Sequence, residues 1–275
     1  MALMALGAFL LTVTVIGHAT RAGRYVSEPP RSWERFDRAL AEQTPDLDSL
    51  FRRAQTRGAL PFRDFPPDKK MQILFETVAD RFTHGDRALY SPFSNWVMWV
   101  LGAGNRRYRD IQDPDVLLRG GYSALCGDVS FVLIRLAGMA GIPSRHVLLN
   151  GHIIMESWYS GGWHAYDPDM EVIARDGTGA VLDSDSLARN AASLREAYSG
   201  RGDAAFVDNV VALYTSTGDN RFKAYPAGGG ITVSGQRPGR VERAATYAKT
   251  VVPIGMILTG AAFAGVRRRE GRPWE

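Results

Sequence analysis

The stretch that decides the fold runs from Gly121 to Pro168 and reads GYSALCGDVSFVLIRLAGMAGIPSRHVLLNGHIIMESWYSGGWHAYDP. In its first half, apolar residues follow Cys126 at three- and four-residue spacing, and they are Val129, Val132, Leu133, Leu136 and Met139. This spacing predicts a buried helix that begins near Cys126 and ends before Gly141-Ile142-Pro143.

The second half of the stretch has the pattern of short antiparallel strands. Residues 145–149 form one candidate strand and residues 152–159 form the next. Ser160-Gly161-Gly162 is typical of a hairpin turn, after which residues 163–167 return as a third strand that is closed by Pro168. This arrangement places His152 and Asp167 near the paired ends of one hairpin.

Three of these residues suit nucleophilic catalysis. A cysteine at a helix N-terminus meets free N–H groups and the positive end of the helix dipole, which favour the reactive thiolate and can hold an oxyanion. A carboxylate on one imidazole nitrogen leaves the other nitrogen to face a thiol. We therefore predict Cys126 as nucleophile, His152 as base and Asp167 as orienting acid.

The same residues resemble the transglutaminase-like family, which shares the papain-type cysteine-peptidase core. Its nucleophile block is matched by residues 121–128 with Arg135 and 141–145, its histidine block by His152 with Glu156, and its aspartate block by 162–168. The match covers residues 115–168, with the three blocks in the family's order. The resemblance implies an α+β fold in which the nucleophile helix packs on an antiparallel sheet, and a covalent thioester intermediate.

Two positions depart from the family or stay open. Members often carry Trp two residues after the histidine, where this chain has Ile154. The family also uses a side chain before the cysteine as a second oxyanion donor, for which Asn95, Trp96 and Gln112 are all candidates. No metal and no cofactor is predicted, and a single cysteine excludes both an internal disulfide and a Cys-rich zinc site.

Other residues in the chain invite a structural interpretation. We expect Glu156 to be structural, on the same strand face as His152, and His164 to face outward. His84 resembles a helix end and His146 a strand residue. Trp158 and Trp163 are expected in the core, as is the apolar segment 90–100.

Both ends of the chain are apolar. Residues 1–20 predict a membrane anchor or signal sequence, because Met1 to Ala19 contains no Lys, Arg, Asp or Glu. A retained anchor is favoured. Residues 247–267 predict a transmembrane helix, in which Ala261 and Gly265 are a candidate helix-packing pair. Between the ends we predict a transglutaminase-like domain over 32–226 and a linker over 227–246, and a basic tail follows at 268–275. Within the domain, periodicity predicts a helix over 32–57 and a second helix that Pro66-Pro67-Asp68 opens.

The arginines give a divided indication of topology. Those at 267–269 and 272 favour a cytoplasmic tail, which would place the domain in the periplasm or outside the cell. Arginines at 21, 24, 237, 240 and 243 flank the spans on the domain side and favour a cytoplasmic domain. We predict an extracytoplasmic domain.

The sequence predicts a membrane-tethered, cysteine-dependent amide or peptide hydrolase or acyltransferase, with hydrolysis favoured. Its expected substrate is a protein or peptide, and other membrane proteins are possible partners. The net charge is only +4 and no Lys/Arg stripe is interleaved with aromatic residues, so nucleic-acid binding is not expected. The alternative is a catalytically silent transglutaminase-like interaction module at the membrane.

Overall fold

The computed structural model describes residues 1–58, 60–216 and 236–270. Its helices, in chain order, are α1 (Ala2–Ala19), α2 (Arg38–Gln43), α3 (Leu47–Gln55), α4 (Pro67–Arg81), α5 (Pro92–Gly104), α6 (Pro114–Gly120), α7 (Cys126–Met139), α8 (Ser184–Arg189), α9 (Ala191–Ala197), α10 (Ala204–Thr215) and α11 (Gln236–Glu270). Its strands are β1 (Thr83–His84), β2 (Ser123–Ala124), β3 (Ser144–Leu149), β4 (His152–Tyr159) and β5 (Gly162–Tyr166). The fold mixes helices and sheets, as predicted.

The chain divides into two compact units. The first consists of Met1–Tyr25, Ala88–Asp113 and the described part of Gly235–Glu275, and the second of Val26–Arg87 with the described part of Pro114–Ser234. The first unit thus contains α1, α5 and α11, while the second contains the predicted nucleophile helix and the strands. Residues 88–113, which fall inside the predicted domain over 32–226, belong to the first unit.

Two helices of the first unit are long and apolar enough to cross a membrane. They are Ala2–Ala19 and the Arg240–Gly265 part of α11. The two helices pack together at glycines: a Cβ atom on Gly7 would lie 2.7 Å from the backbone oxygen of Pro253, and Gly260 lies against Met4. The packing glycine of α11 is therefore Gly260, whereas the predicted pair Ala261 and Gly265 is exposed.

The C-terminal helix begins earlier than expected. It starts at Gln236, so the second half of the linker predicted over 227–246 is helical, while 227–235 and the tail residues 271–275 lie outside the described residues. A tertiary contact explains the extension. Buried Glu242 accepts hydrogen bonds from the Tyr90 hydroxyl (3.0 Å) and the Gln112 N–H (2.7 Å), which anchors this part of the helix within its unit.

The apolar segment around α5 is less buried than predicted. Asn95 and Met98 are buried, but Trp99, Val100 and Leu101 are 40–54% exposed. Apolar character on all sides predicts burial in protein or in lipid, and this helix shares its unit with the two candidate membrane spans.

The second unit is built around an antiparallel sheet with strand order β3-β4-β5. Leu149 pairs with His152 at one turn, and Tyr159 pairs with Gly162 at the other. The second turn contains Ser160 and Gly161, both with positive φ (51° and 82°), as a two-residue hairpin turn with the twist of the strands requires. The predicted hairpin is confirmed.

Helices cover both faces of this sheet. On one face, Ser130 of α7 donates a hydrogen bond to the carbonyl of Ile153 (3.3 Å), and Phe75 of α4 contacts the ring of Tyr166. On the other face, apolar side chains of the sheet join those of the last helices of the unit in one buried cluster, which includes Val147, Leu149, Ile154, Ala165, Leu187, Leu194, Val210 and Val211. The predicted nucleophile helix does pack on an antiparallel sheet.

The helices that precede this core differ in detail from the prediction. α4 begins at Pro67, within the predicted start Pro66-Pro67-Asp68, but the single helix expected over 32–57 is divided into α2 and α3. Asp46 explains the break, because its side chain accepts from the Ser49 N–H and starts a new helix with a reciprocal capping box.

Candidate functional site

Cys126 is the first residue of α7, as the sequence predicts, and the residue is half-buried. The N–H groups of Asp128 and Val129 already bond to the carbonyl of Leu125. Those of Cys126 and Gly127 have no acceptor within the helix, since the first turn of any helix leaves its N–H groups without one. The thiol thus lies beside two N–H groups that can receive an anionic oxygen.

His152, the first residue of β4, lies between this thiol and a carboxylate. Its Nε2 atom is 2.7 Å from Oδ2 of Asp167, and its ring also hydrogen-bonds the Cys126 side chain. An ionised carboxylate can only accept, so Nε2 carries the proton and Nδ1 is left to face the thiol. The structure therefore brings the three predicted residues into one hydrogen-bonded line.

Asp167 follows β5 directly and is buried. Besides His152, it accepts from the hydroxyl of Tyr198 (Oδ2, 2.7 Å) and from the N–H of Met170 (Oδ1, 3.1 Å). Burial opposes its ionisation, but the charge of His152 and these hydrogen bonds outweigh burial and lower the pKa of Asp167 below its usual 3.8. The carboxylate is therefore held in its ionised form.

The pKa of His152 moves the other way. Burial of the ring disfavours its charged form, but the charge and hydrogen bond of Asp167, and then the thiol of Cys126, raise the pKa well above 6.5. Folding thus stabilises an imidazolium at this position, and this contribution is complete below pH 6.5 and lost as pH rises through the raised pKa. The contribution of Asp167 is present above pH 3.8 and lost as pH falls through its lowered pKa.

A second aspartate lies at the same place. Asp169 places a carboxylate oxygen within 4.8 Å of both the Cys126 sulfur and a ring nitrogen of His152. Its two oxygens are 3.0 and 2.9 Å from Nδ1 of His84. Burial is the main cause that raises the pKa of Asp169, and the nearby charge of Asp167 adds to it.

The remaining candidates of the strands have structural contacts. Glu156 bonds Arg145 (2.7 Å to Nε) and the N–H and hydroxyl of Ser184, which agrees with the structural role expected of it. Burial lowers the pKa of His146 to about 4, so this ring is neutral. His164 is half-buried, not outward-facing, and its ring nitrogens lie near the carbonyls of Val181 and Tyr159.

The two tryptophans at the hairpin turn are not core residues. Trp158 is 40% exposed, and Trp163, which contacts it edge to face, lies under the guanidinium of Arg145 at 3.9 Å. Ile154, at the position where the resembling family often has Trp, is fully buried in the apolar cluster behind the sheet. Its role there is in packing.

The three candidate oxyanion donors all belong to the first unit, whereas Cys126 belongs to the second. Within the first unit, Oδ1 of Asn95 accepts from the N–H of Met98, and the indole N–H of Trp96 donates to the carbonyl of Lys249. Gln112 donates its backbone N–H to Glu242. The choice among them stays a prediction.

Sequence reasoning missed Asp169, His84 and Tyr198. The local sequence could have indicated Asp169 as a site residue, since it lies two residues after Asp167 in the motif Asp-Pro-Asp. His84 is brought in by the parallel pairing of β1 with β2, in which His84 lies opposite Ala124, just before α7. Such a contact between distant segments has no local sequence signature, and the same holds for Tyr198.

The similarity of this chain to known proteins is low. No protein-family model matches the chain, and no curated protein matches it. A crystal structure of a TGase is similar over 47% of this chain and 32% of its own length, with 18% sequence identity and a TM-score of 0.30. A similarity this low does not show a function for this chain.

Proposed function

We propose that the protein is a membrane-tethered, cysteine-dependent amide or peptide hydrolase or acyltransferase with a transglutaminase-like, papain-type core. The observation that carries the proposal is the line from the thiol of Cys126 through His152 to Asp167, with 2.7 Å between the last two side chains. The position of the thiol at the start of α7 supports it, because the same helix supplies N–H groups for an oxyanion.

The proposed reaction begins with proton transfer from the thiol to Nδ1 of His152. The thiolate then attacks the carbonyl carbon of an amide, and a carbon–sulfur bond forms while the carbonyl oxygen becomes an oxyanion. When this intermediate collapses, the carbon–nitrogen bond breaks and the imidazolium gives its proton to the leaving amine. The product of this half-reaction is a thioester on Cys126.

The second half-reaction releases the acyl group. Water or a second amine attacks the thioester carbonyl while His152 takes its proton, and the carbon–sulfur bond breaks to regenerate the thiol. Asp167 acts throughout by holding the imidazole in one orientation and by stabilising its charged form. Hydrolysis is the favoured outcome, on a protein or peptide substrate.

The first unit supports the membrane part of the proposal. Its two candidate spans and the exposed apolar residues of α5 fit a lipid environment. We further propose that the second unit faces the periplasm or cell exterior, where its substrate and any partner membrane proteins would be met. The basic cluster that begins at Arg267 is the support for this orientation.

The proposal is tested with the full chain in detergent micelles. It is incubated with a panel of glutamine- and amide-containing peptides, with and without an added primary amine, and its intact mass is measured. We expect an acyl adduct that hydroxylamine removes and that Cys126→Ala cannot form. If a broad panel leaves no adduct, and Cys126→Ala keeps the cellular function of the wild type, the chain is a silent interaction module instead.

A further inference from the structure

We propose that Cys126, His152 and Asp169 form a zinc-binding site that switches the nucleophile off. One ligand atom from each of these residues lies within 4.8 Å of the other two. A thiolate sulfur, an imidazole nitrogen and a carboxylate oxygen are the three kinds of ligand that Zn²⁺ takes in proteins, and three protein ligands leave its fourth position open. Zinc–ligand distances of about 2.0–2.3 Å place tetrahedral ligand atoms about 3.3–3.8 Å apart, so binding requires these atoms to approach one another by up to about 1.5 Å.

Two of the three ligands are hydrogen-bonded to side chains that are not themselves proposed ligands. Asp167 accepts the Nε2 proton of His152, which leaves the lone pair of Nδ1 for a metal. His84 holds both oxygens of Asp169, at 3.0 and 2.9 Å from Nδ1. Carboxylate–histidine pairs of this kind fix the orientation of ligands around zinc sites in general.

Two of the three ligands lie on a helix or strand, and the third lies in a turn. Cys126 begins α7 and His152 begins β4, while Asp169 follows Asp167 by two residues. His84 is fixed by the pairing of β1 with β2 immediately before α7. Cys126, His152 and His84 are therefore positioned by a helix or strand, and the turn with Asp169 is closed by the backbone pairing of Asp167 with Val172. This favours a built site over a chance approach of flexible groups.

Asp169 has no part in the proposed cysteine chemistry, which needs only one carboxylate. It is 4% exposed and pairs with Nδ1 of His84 at 2.9 Å, and a divalent cation beside a buried carboxylate stabilises its charge further. Zn²⁺ bound to one thiolate and one carboxylate makes an electrically neutral group. Binding releases to solvent the proton that Cys126 and His152 share, because the metal takes both the deprotonated sulfur and the Nδ1 lone pair.

Zinc at this position would block both roles of the pair. The sulfur lone pair that attacks a carbonyl and the Nδ1 lone pair that takes a proton are both bound to the metal. This consequence rests on the proposed function, but binding itself does not. The concentration of free zinc would therefore set the fraction of molecules that can react.

Metal binding is measured on the full, metal-free chain in detergent. Zn²⁺ is titrated in competition with a chromophoric chelator, and Co²⁺ is added separately because a cobalt–thiolate bond gives a charge-transfer absorption. We expect one Zn²⁺ per chain and the thiolate band with Co²⁺. Asp169→Asn should weaken zinc binding by more than about 100-fold, and His84→Ala by about 10–100-fold as outer-partner losses do.

Asp128→Asn is the matched control. This acidic residue lies in the first turn of α7, two positions from Cys126, but is outside the ligand group. It should leave zinc affinity unchanged. Circular dichroism of each variant checks that it is folded, and the wild-type cobalt spectrum needs no variant at all.

The outcomes separate this inference from the proposed function. Equal zinc affinity in wild type and Asp169→Asn, or a Co²⁺ complex without a thiolate band, overturns the zinc site. Alkylation of Cys126 by iodoacetamide is measured in parallel on metal-free protein, with and without Zn²⁺. Protection by Zn²⁺ supports the switch, whereas slow alkylation without metal that His152→Ala leaves unchanged contradicts the cysteine chemistry alone.

Discussion

Hydrogen bonds continue behind the cysteine and histidine into the interior of the second unit. The hydroxyl of Tyr198 donates to Asp167, and it lies 2.9 Å from the hydroxyl of Tyr214. Burial, and then the charge of Asp167, raise the pKa of Tyr198 well above its usual value, so its proton is always present for this bond. The tyrosine therefore acts as a positioning residue for the carboxylate and, through it, for the imidazole.

Tyr198→Phe tests this role. Loss of the hydroxyl should cost about 0.5–1.5 kcal/mol of unfolding free energy, and it should slow alkylation of Cys126 at pH 6, because Asp167 then holds the imidazolium less firmly. Urea unfolding and the alkylation rate measure the two effects. Tyr159→Phe is the control, since it loses a hydroxyl contact to Tyr166 (2.6 Å) that does not involve Asp167. Equal alkylation rates in the two variants would contradict the positioning role.

At the scale of residues, the sequence could predict the part of the site that has a local signature. Cys126 is marked by the helix that follows it, and His152 and Asp167 by the hairpin. Asp169 and Tyr198 could not be predicted in the same way, because their proximity to the site depends on tertiary packing. A residue that supports another residue carries no motif of its own.

Among the elements, the ion pair between Arg145 and Glu156 ties β3 to β4. The guanidinium is 2.7 and 2.6 Å from one Glu156 oxygen, the other oxygen binds Ser184 at the start of α8, and both side chains are largely buried. Removing one partner of a buried pair leaves an uncompensated charge. Sheet and helix are therefore joined by one carboxylate.

Glu156→Gln should lower the unfolding free energy by about 3–5 kcal/mol, as the loss of one partner of a buried pair does. The alkylation rate of the protein that remains folded should not change, because this carboxylate does not touch the thiol. Urea unfolding and alkylation at pH 6 are again the measurements. A loss of alkylation without a loss of stability would mean that Glu156 acts in the site.

The hairpin turn between β4 and β5 requires an unusual backbone conformation. Gly161 has a φ of 82°, and a Cβ atom there would meet nothing within 4 Å. The cost of Gly161→Ala is therefore one of backbone conformation alone, about 1–2 kcal/mol of unfolding free energy. Ser160→Asn is the matched comparison, since Asn tolerates the positive φ already present there, and it should be neutral or stabilising. Equal stabilities of the two variants would contradict the turn geometry.

Hydrophobic periodicity predicted the helices and strands that have strong local patterns. It failed where a tertiary contact or a helix cap sets the boundary of a helix. α7, the hairpin and the start of α4 follow the prediction. α2 and α3 are separate because Asp46 caps the second, and α11 extends back to Gln236 because Glu242 is anchored by Tyr90 and Gln112. Intrinsic propensity does not contain either of these contacts.

On the scale of the whole molecule, one chain forms an apolar unit and a unit with a hydrogen-bonded cysteine site. Residues 88–113 belong to the first although they interrupt the second in sequence. Their apolar composition predicts that they are buried, but it does not tell whether a protein core or a lipid bilayer surrounds them. The sequence could therefore predict the nonpolar character of α5 but not the unit to which it belongs.

The proposed orientation can be read from Cys126, because it is the single cysteine of the 275 residues. A membrane-impermeant maleimide is added to sealed right-side-out vesicles that contain the full chain. We expect the same yield of labelled protein with and without detergent, since the proposed orientation exposes the thiol to the outside. Labelling that requires detergent would place the second unit on the cytoplasmic side, and denatured protein gives the total for comparison.

The proposed function requires that Cys126 and His152 act as a pair. The measurement is the rate of alkylation by iodoacetamide against pH, in metal-free wild type and His152→Ala. Only about one in 300 ordinary thiols is ionised at pH 6, whereas a histidine-paired thiol reacts there. We predict rapid alkylation of the wild type at pH 6 and a loss of at least about 10-fold in His152→Ala, after allowance for the weaker nucleophilicity of acidic thiols. A wild-type rate that rises only near pH 8.5, and is the same in the variant, would contradict the account.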